Sequence, residues 1–114
     1  MIVDKPWGRV TTYTMNQPAS VRVIEVDAGA QTSLHYHELR DEVWIVLDPG
    51  LTVVVGEERT DAKPGDEFVV SAERPHQILS RGAAGRVLEI AYGFTTEDDT
   101  HRLSDQYGRS VRDR

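Results

Sequence analysis

Apolar and polar residues alternate along this chain in short runs. Val21-Arg22-Val23-Ile24-Glu25-Val26, Leu51-Thr52-Val53-Val54-Val55, Glu67-Phe68-Val69-Val70-Ser71 and Arg86-Val87-Leu88-Glu89-Ile90-Ala91-Tyr92 are the clearest. A period of two is the strand period, and these runs are rich in β-branched residues. Val43 to Leu47, the segment from His76 to Ser80 and the run Arg9 to Thr14 have the same composition. Turn residues separate them: Asn16-Gln17-Pro18, Asp27-Ala28-Gly29-Ala30, Asp48-Pro49-Gly50, Gly56-Glu57, Lys63-Pro64-Gly65-Asp66 and Arg81 to Gly85. Strands recurring every 8–12 residues or so, with no helix-period segment between them, predict an all-β sandwich or barrel. Beyond Gly93 the chain turns polar. Thr96 followed by Glu97-Asp98-Asp99 fits a helix cap and first turn, so a short helix is expected near 97–106, with a frayed end from Gly108 to Arg114. One domain over 1–114 accounts for the pattern.

One polar stretch breaks it. Residues 29–50 read GAQTSLHYHELRDEVWIVLDPG. His35 and His37 are two apart, so on a strand both imidazoles face one way. A polar turn of four residues leads from His37 to Glu42, at the start of the next strand. His76 sits in Arg74-Pro75-His76-Gln77. The chain has four histidines, and three fall in this pattern. His35, His37, His76 and Glu42 make a donor set for one divalent transition metal with positions left open; zinc, manganese, iron and nickel all suit it. Imidazole must be neutral to ligate, so affinity is expected to decline as the pH drops toward about 6.

Charge narrows the partners. The net charge of −6 argues against nucleic acid and anionic membrane, which both need basic patches. No apolar run approaches the roughly 18 residues of a membrane span, and MIVDKPWGRV has no signal-peptide core. Cysteine is absent. A cytoplasmic protein is expected.

Gly29, His35, His37, Glu42 and His76 together resemble the cupin pattern. Gly29 and His35 are separated by five residues, and His37 and Glu42 by four, as in the first cupin motif. Gly65 and His76 fit the second motif, while Ser71, Glu73 and Ser80 stand where it has Pro, Gly and Asn. The resemblance implies a cupin double-stranded β-helix, a jelly-roll barrel with the metal inside and a short C-terminal helical or irregular tail. A narrower resemblance spans nearly the whole chain. Lys5-Pro6-Trp7-Gly8, Ser33-Leu34, Arg40 ahead of Glu42 and Trp44, and the tail with Glu97-Asp98-Asp99, Arg102, Asp105 and Tyr107-Gly108-Arg109 are similar to the cupin domain of type II mannose-6-phosphate isomerases. That family has Gln at His35 and two further histidines at Glu38 and Leu39.

The resemblance implies aldose–ketose isomerisation of a sugar phosphate, in carbohydrate metabolism. Arg40 and Glu38 are then the catalytic candidates, and Arg40, Arg74 and Trp44 the substrate-binding ones. The alternatives are a metal-dependent cupin oxygenase and a non-catalytic metal- or sugar-binding cupin. A homodimer is expected, since small cupins pair through exposed sheet edges.

Overall fold

The computed structural model describes residues 1–109. Eleven strands run in order: β1 (Ile2–Lys5), β2 (Gly8–Thr11), β3 (Ser20–Val26), β4 (Leu34–Tyr36), β5 (Arg40–Val46), β6 (Leu51–Val55), β7 (Glu58–Asp61), β8 (Glu67–Val70), β9 (His76–Ser80), β10 (Gly85–Gly93) and β11 (His101–Ser104). A single 3₁₀ turn, Glu97–Asp99, precedes β11. Two sheets, ordered β3-β10-β5-β8 and β11-β4-β9-β6-β7, form the cupin barrel, and β1-β2 makes a separate hairpin.

Alternation sets the inner face. Along β5, Arg40, Glu42, Trp44 and Val46 are buried while the residues between them are more open. The same parity in β10 turns Val87, Glu89 and Ala91 inward. Val46, Leu51, Val53, Ile78 and Val87 are at most 1% exposed and pack with Trp44 into one core. Burying each such side chain is worth about 1.5–3 kcal/mol. The inward stripes change character at one level. Val46 and Trp44 give way to Glu42 and Arg40 on β5, Val87 to Glu89 on β10, and Ile78 to His76 on β9. One end of the barrel is thus apolar, and the other is lined with ionisable groups.

One expectation needs correction, and one element was not anticipated. The helix near 97–106 is only the one 3₁₀ turn, after which the chain pairs with β4 as β11. Thr96 makes no side-chain cap bond, and the Asp99 carboxylate instead accepts the N–H groups of Glu38 and Leu39, both at 3.0 Å. Those longer-range bonds tie the segment to the barrel and end the helix. Ile2–Lys5 pairs with Gly8–Thr11 as a hairpin that the composition of the opening residues did not announce. Of the frayed end expected from Gly108, residues 110–114 lie outside the described residues.

The motif departures are also legible. Glu73, at the motif's glycine position, has φ +68°, a left-handed conformation that disfavours a side chain. Ser80 uses its hydroxyl to accept the N–H groups of Gly29 (3.0 Å) and Gly82 (3.2 Å) and to donate to Ala83 O. It holds two turns together where the motif has Asn.

Candidate functional site

The register of β4 and β9 places His35 directly opposite His76, and His37 follows β4 by one residue. The three ring centroids are 4.4–4.9 Å apart, and one nitrogen from each ring lies within 4.8 Å of the others. Each Nδ1 is held by a backbone carbonyl: His35 by Ser33 O at 3.0 Å, His37 by Asp99 O at 3.0 Å and His76 by Arg74 O at 2.9 Å. A carbonyl only accepts, so Nδ1 of His37 and of His76 carries the proton and Nε2 keeps its lone pair; His35 Nδ1 also meets the Ser33 hydroxyl at 2.8 Å, which can accept from it or donate to it. His76 Nε2 is buried with no hydrogen-bond partner. Such an orphaned acceptor, beside two more imidazole lone pairs, fits a divalent transition metal.

Burial keeps the cluster neutral. His76 is pushed down to about 3, first by burial and then by His37 and Arg40. His35 is also pushed to about 3, by burial and by its two histidine neighbours. Burial lowers His37 as well. The expected loss of metal affinity near pH 6 therefore moves to lower pH in the folded protein. Stability carries the pH dependence instead. Histidines titrate near 6.5 when unfolded, so between about pH 6.5 and 3 the unfolded chain binds more protons and stability falls as the pH drops. Metal-free protein is expected to lose about 2 kcal/mol through His76 alone between pH 7.5 and 5, with His35 adding to it. Urea midpoints across that range measure the slope, and a flat profile would contradict neutral buried histidines.

Glu42 is 1% exposed. Its Oε2 lies 3.5 Å from His37 Nε2, but both oxygens have donors: Arg40 Nε at 2.7 Å and Trp44 Nε1 at 2.8 Å. Arg40 also donates Nη2–H to His37 Nε2 at 2.9 Å. Arg40 is thus no surface turn residue; it is 5% exposed and braces Glu42 against His37. A metal at His37 Nε2 requires Arg40 to release that nitrogen.

The histidines open on a cavity of about 380 Å³, the size of a small-molecule site. His35, His37 and Arg40 line it; the buried His76 and Glu42 lie behind them, and Glu38, Trp44 and Arg74 do not line it either. Glu38 sits on the turn after His37 with its side chain about half exposed, 3.8 Å from His101. Trp44 packs edge-on beneath His76, with centroids 5.2 Å apart. Arg74 is exposed and lies over Gly56, in a separate shallow cleft.

Sequence reasoning missed Glu89. It faces the cavity, is 2% exposed, and accepts from Arg22 Nε and Nη2 at 2.8 and 2.6 Å. Burial and then the neighbouring Glu42 carboxylate raise its pKa. The alternation of β10 already put Glu89 on the core face beside Val87, and an acid there was the available signal. Asp99 was missed as a brace for His37; no sequence spacing links residues 62 apart.

The family model for the C-terminal region of mannose-6-phosphate isomerase matches residues 1–105. The chain belongs to the mannose-6-phosphate isomerase C-terminal family. Xanthan biosynthesis protein XanB of Xanthomonas campestris is 32% identical over 95% of this chain and 24% of its own length. A mannose-1-phosphate guanylyltransferase of Klebsiella pneumoniae is 33% identical over 94% of this chain and 23% of its own. The chain thus spans about a quarter of the length of these relatives. Among solved structures, KdgF from a Halomonas species superposes with a TM-score of 0.64 at 21% identity, covering 75% of this chain and 76% of that one. That likeness is one of fold. Among the described residues no helix is long and apolar enough to cross a membrane.

Proposed function

We propose that this member of the mannose-6-phosphate isomerase C-terminal family is a metal-dependent aldose–ketose isomerase acting on a sugar phosphate such as mannose-6-phosphate. The observation that carries the reading is one hexose-sized cavity faced by His35, His37, Arg40 and the buried carboxyl of Glu89, with His76 clustered behind the two histidines. His35, His37 and His76 would hold one divalent transition metal, with Glu42 as fourth donor once Arg40 gives up its Oε2. The bound metal supplies Lewis acidity toward the substrate carbonyl. Arg40, freed toward the cavity, would present its planar fork to the oxygens that gain charge during the reaction. Glu89 would take the proton from the carbon beside the carbonyl and return it to the adjacent carbon. In this reading it assumes the base role that the sequence offered to Glu38, which faces solvent. The apolar layer under Trp44 would keep water from the reacting end.

Metal-replete protein incubated with mannose-6-phosphate in heavy water tests the reading. Proton NMR should show loss of the signal beside the carbonyl, with ketose formation. Neither exchange nor product would defeat it. An all-histidine cluster also suits iron oxygen chemistry, and oxygen uptake without isomerisation would mark that alternative.

We also propose a homodimer, in an acidic protein that binds neither nucleic acid nor membrane and works in the cytoplasm. Every residue of the β1-β2 hairpin is exposed, with Ile2 at 64% and Trp7 at 74%. A lone two-stranded hairpin is marginal in water, and packing on a second copy would cover it. Sedimentation should give twice the chain mass, and Trp7→Ser should shift the protein toward monomer. A monomeric wild type would refute the dimer.

A further inference from the structure

Four arginines line the cavity: Arg22, Arg40, Arg102 and Arg109. Three have their guanidinium groups taken up inside the fold or along the tail. Arg40 is held by Glu42, Arg22 by Glu89, and Arg109 by Asp105 at two points. Arg102 differs. It stands opposite His35 on the neighbouring strand, with its side chain 13% exposed. Its Nε is buried without a hydrogen-bond partner among the described residues. Its anionic partner among the described residues, Glu97 Oε1 at 2.6 Å, belongs to a side chain that is 79% exposed, and an ion pair with so open a partner holds weakly. A second donor on the same cavity, Thr95 Oγ1, is likewise buried and unpartnered. Two orphaned donors on one cavity are each costly, and both come from the segment that follows β10.

We propose that Arg102 and Thr95 form the subsite that grips the phosphate of a phosphomonoester ligand, with Glu97 as the exposed carboxylate that the phosphate displaces. The charge pattern gives the ligand two different ends. The neutral histidines accept an uncharged, oxygen-bearing end. Arg102, beside His35, meets the anionic end with a planar fork suited to phosphate oxygens. The identity of the sugar rests on the isomerase reading, whereas the anion subsite does not.

Calorimetric titration of the full chain with inorganic phosphate, mannose-6-phosphate and mannose tests this, using wild type, Arg102→Gln and Thr95→Val. Charge-assisted hydrogen bonds are worth about 1.5–3 kcal/mol, so Arg102→Gln should weaken both phosphates by roughly 10–150-fold and leave mannose unchanged. Thr95→Val should weaken them several-fold while melting at or above the wild-type temperature, because it removes an unpaired buried hydroxyl. A merely structural threonine would not give that split. If Arg102→Gln fails to fold, Thr95→Val decides alone. Phosphate affinity within twofold of wild type in the folded variants, or no phosphate binding by wild type at millimolar concentration, overturns the subsite. Arg102-dependent phosphate binding without turnover would keep the subsite and end the isomerase reading. Turnover with an unchanged KM in Arg102→Gln would do the reverse.

Discussion

His76→Ala is expected to abolish stoichiometric binding of a divalent metal. Of the three imidazoles, His76 gives the cleanest test. Its Nε2 has no protein partner, so its removal subtracts a metal donor and breaks no hydrogen bond at that atom. His37 is less clean, because Arg40 donates to its Nε2 and would lose a partner too. Changes outside the ligand shell commonly cost 10–100-fold in metal affinity; loss of a ligand should exceed about a hundredfold. The ring is 1% exposed and packs against Trp44 and His35, so the truncation also opens a void costing about 2–5 kcal/mol. His76→Gln keeps more of the volume and serves as the folded control. Metal content after dialysis against zinc, with circular dichroism to confirm the barrel, reads the result. Full occupancy in both variants would remove the site as drawn.

The strands and the pair His35 and His37 were legible because both depend on short-range periodicity; His76 was added from the scarcity of histidine and from its place in the second motif. Two-residue spacing put His35 and His37 on one side of a strand, and the runs of β-branched residues marked most strands. What escaped depended on distance. β11 forms because residues 101–104 find the open edge of β4, and no local pattern announces an edge many residues away. The polar composition of 95–100 gave a helix signal, which held for a single turn. Glu42 was read as a metal donor from spacing alone; the fold adds that Arg40 and Trp44 occupy its oxygens. Glu38 and Arg74 gained their candidacy by adjacency to His37 and His76. Glu38 directly follows His37 and so points away from it, Arg74 lies in the turn before β9, and the structure sends both side chains to solvent. Glu73 makes the opposite point: a departure visible in the motif became a backbone conformation unusual for a side chain.

In the proposed isomerase reaction, Glu89→Gln is expected to lower turnover by roughly 10²–10⁴-fold, the range for loss of a general acid–base group, with substrate affinity little changed. The substitution nearly preserves shape and can still accept from Arg22, so the barrel should stay closed. What it removes is the ability to carry a proton. Glu89 suits that task because two environments compete over it. Burial and Glu42 push its pKa up, and the Arg22 guanidinium pulls it back. A carboxyl held between those influences can take a proton at one carbon and release it at the next, whereas solvent-facing Glu38 is outside the cavity altogether. Solvent exchange separates the roles. If Glu89 moves the proton, Glu89→Gln loses heavy-water exchange at the carbon beside the carbonyl together with turnover, while Glu38→Gln retains both. Exchange surviving in Glu89→Gln, and lost in Glu38→Gln, would return the base to the turn after His37. Loss of turnover with exchange intact would assign Glu89 to a later step than proton abstraction.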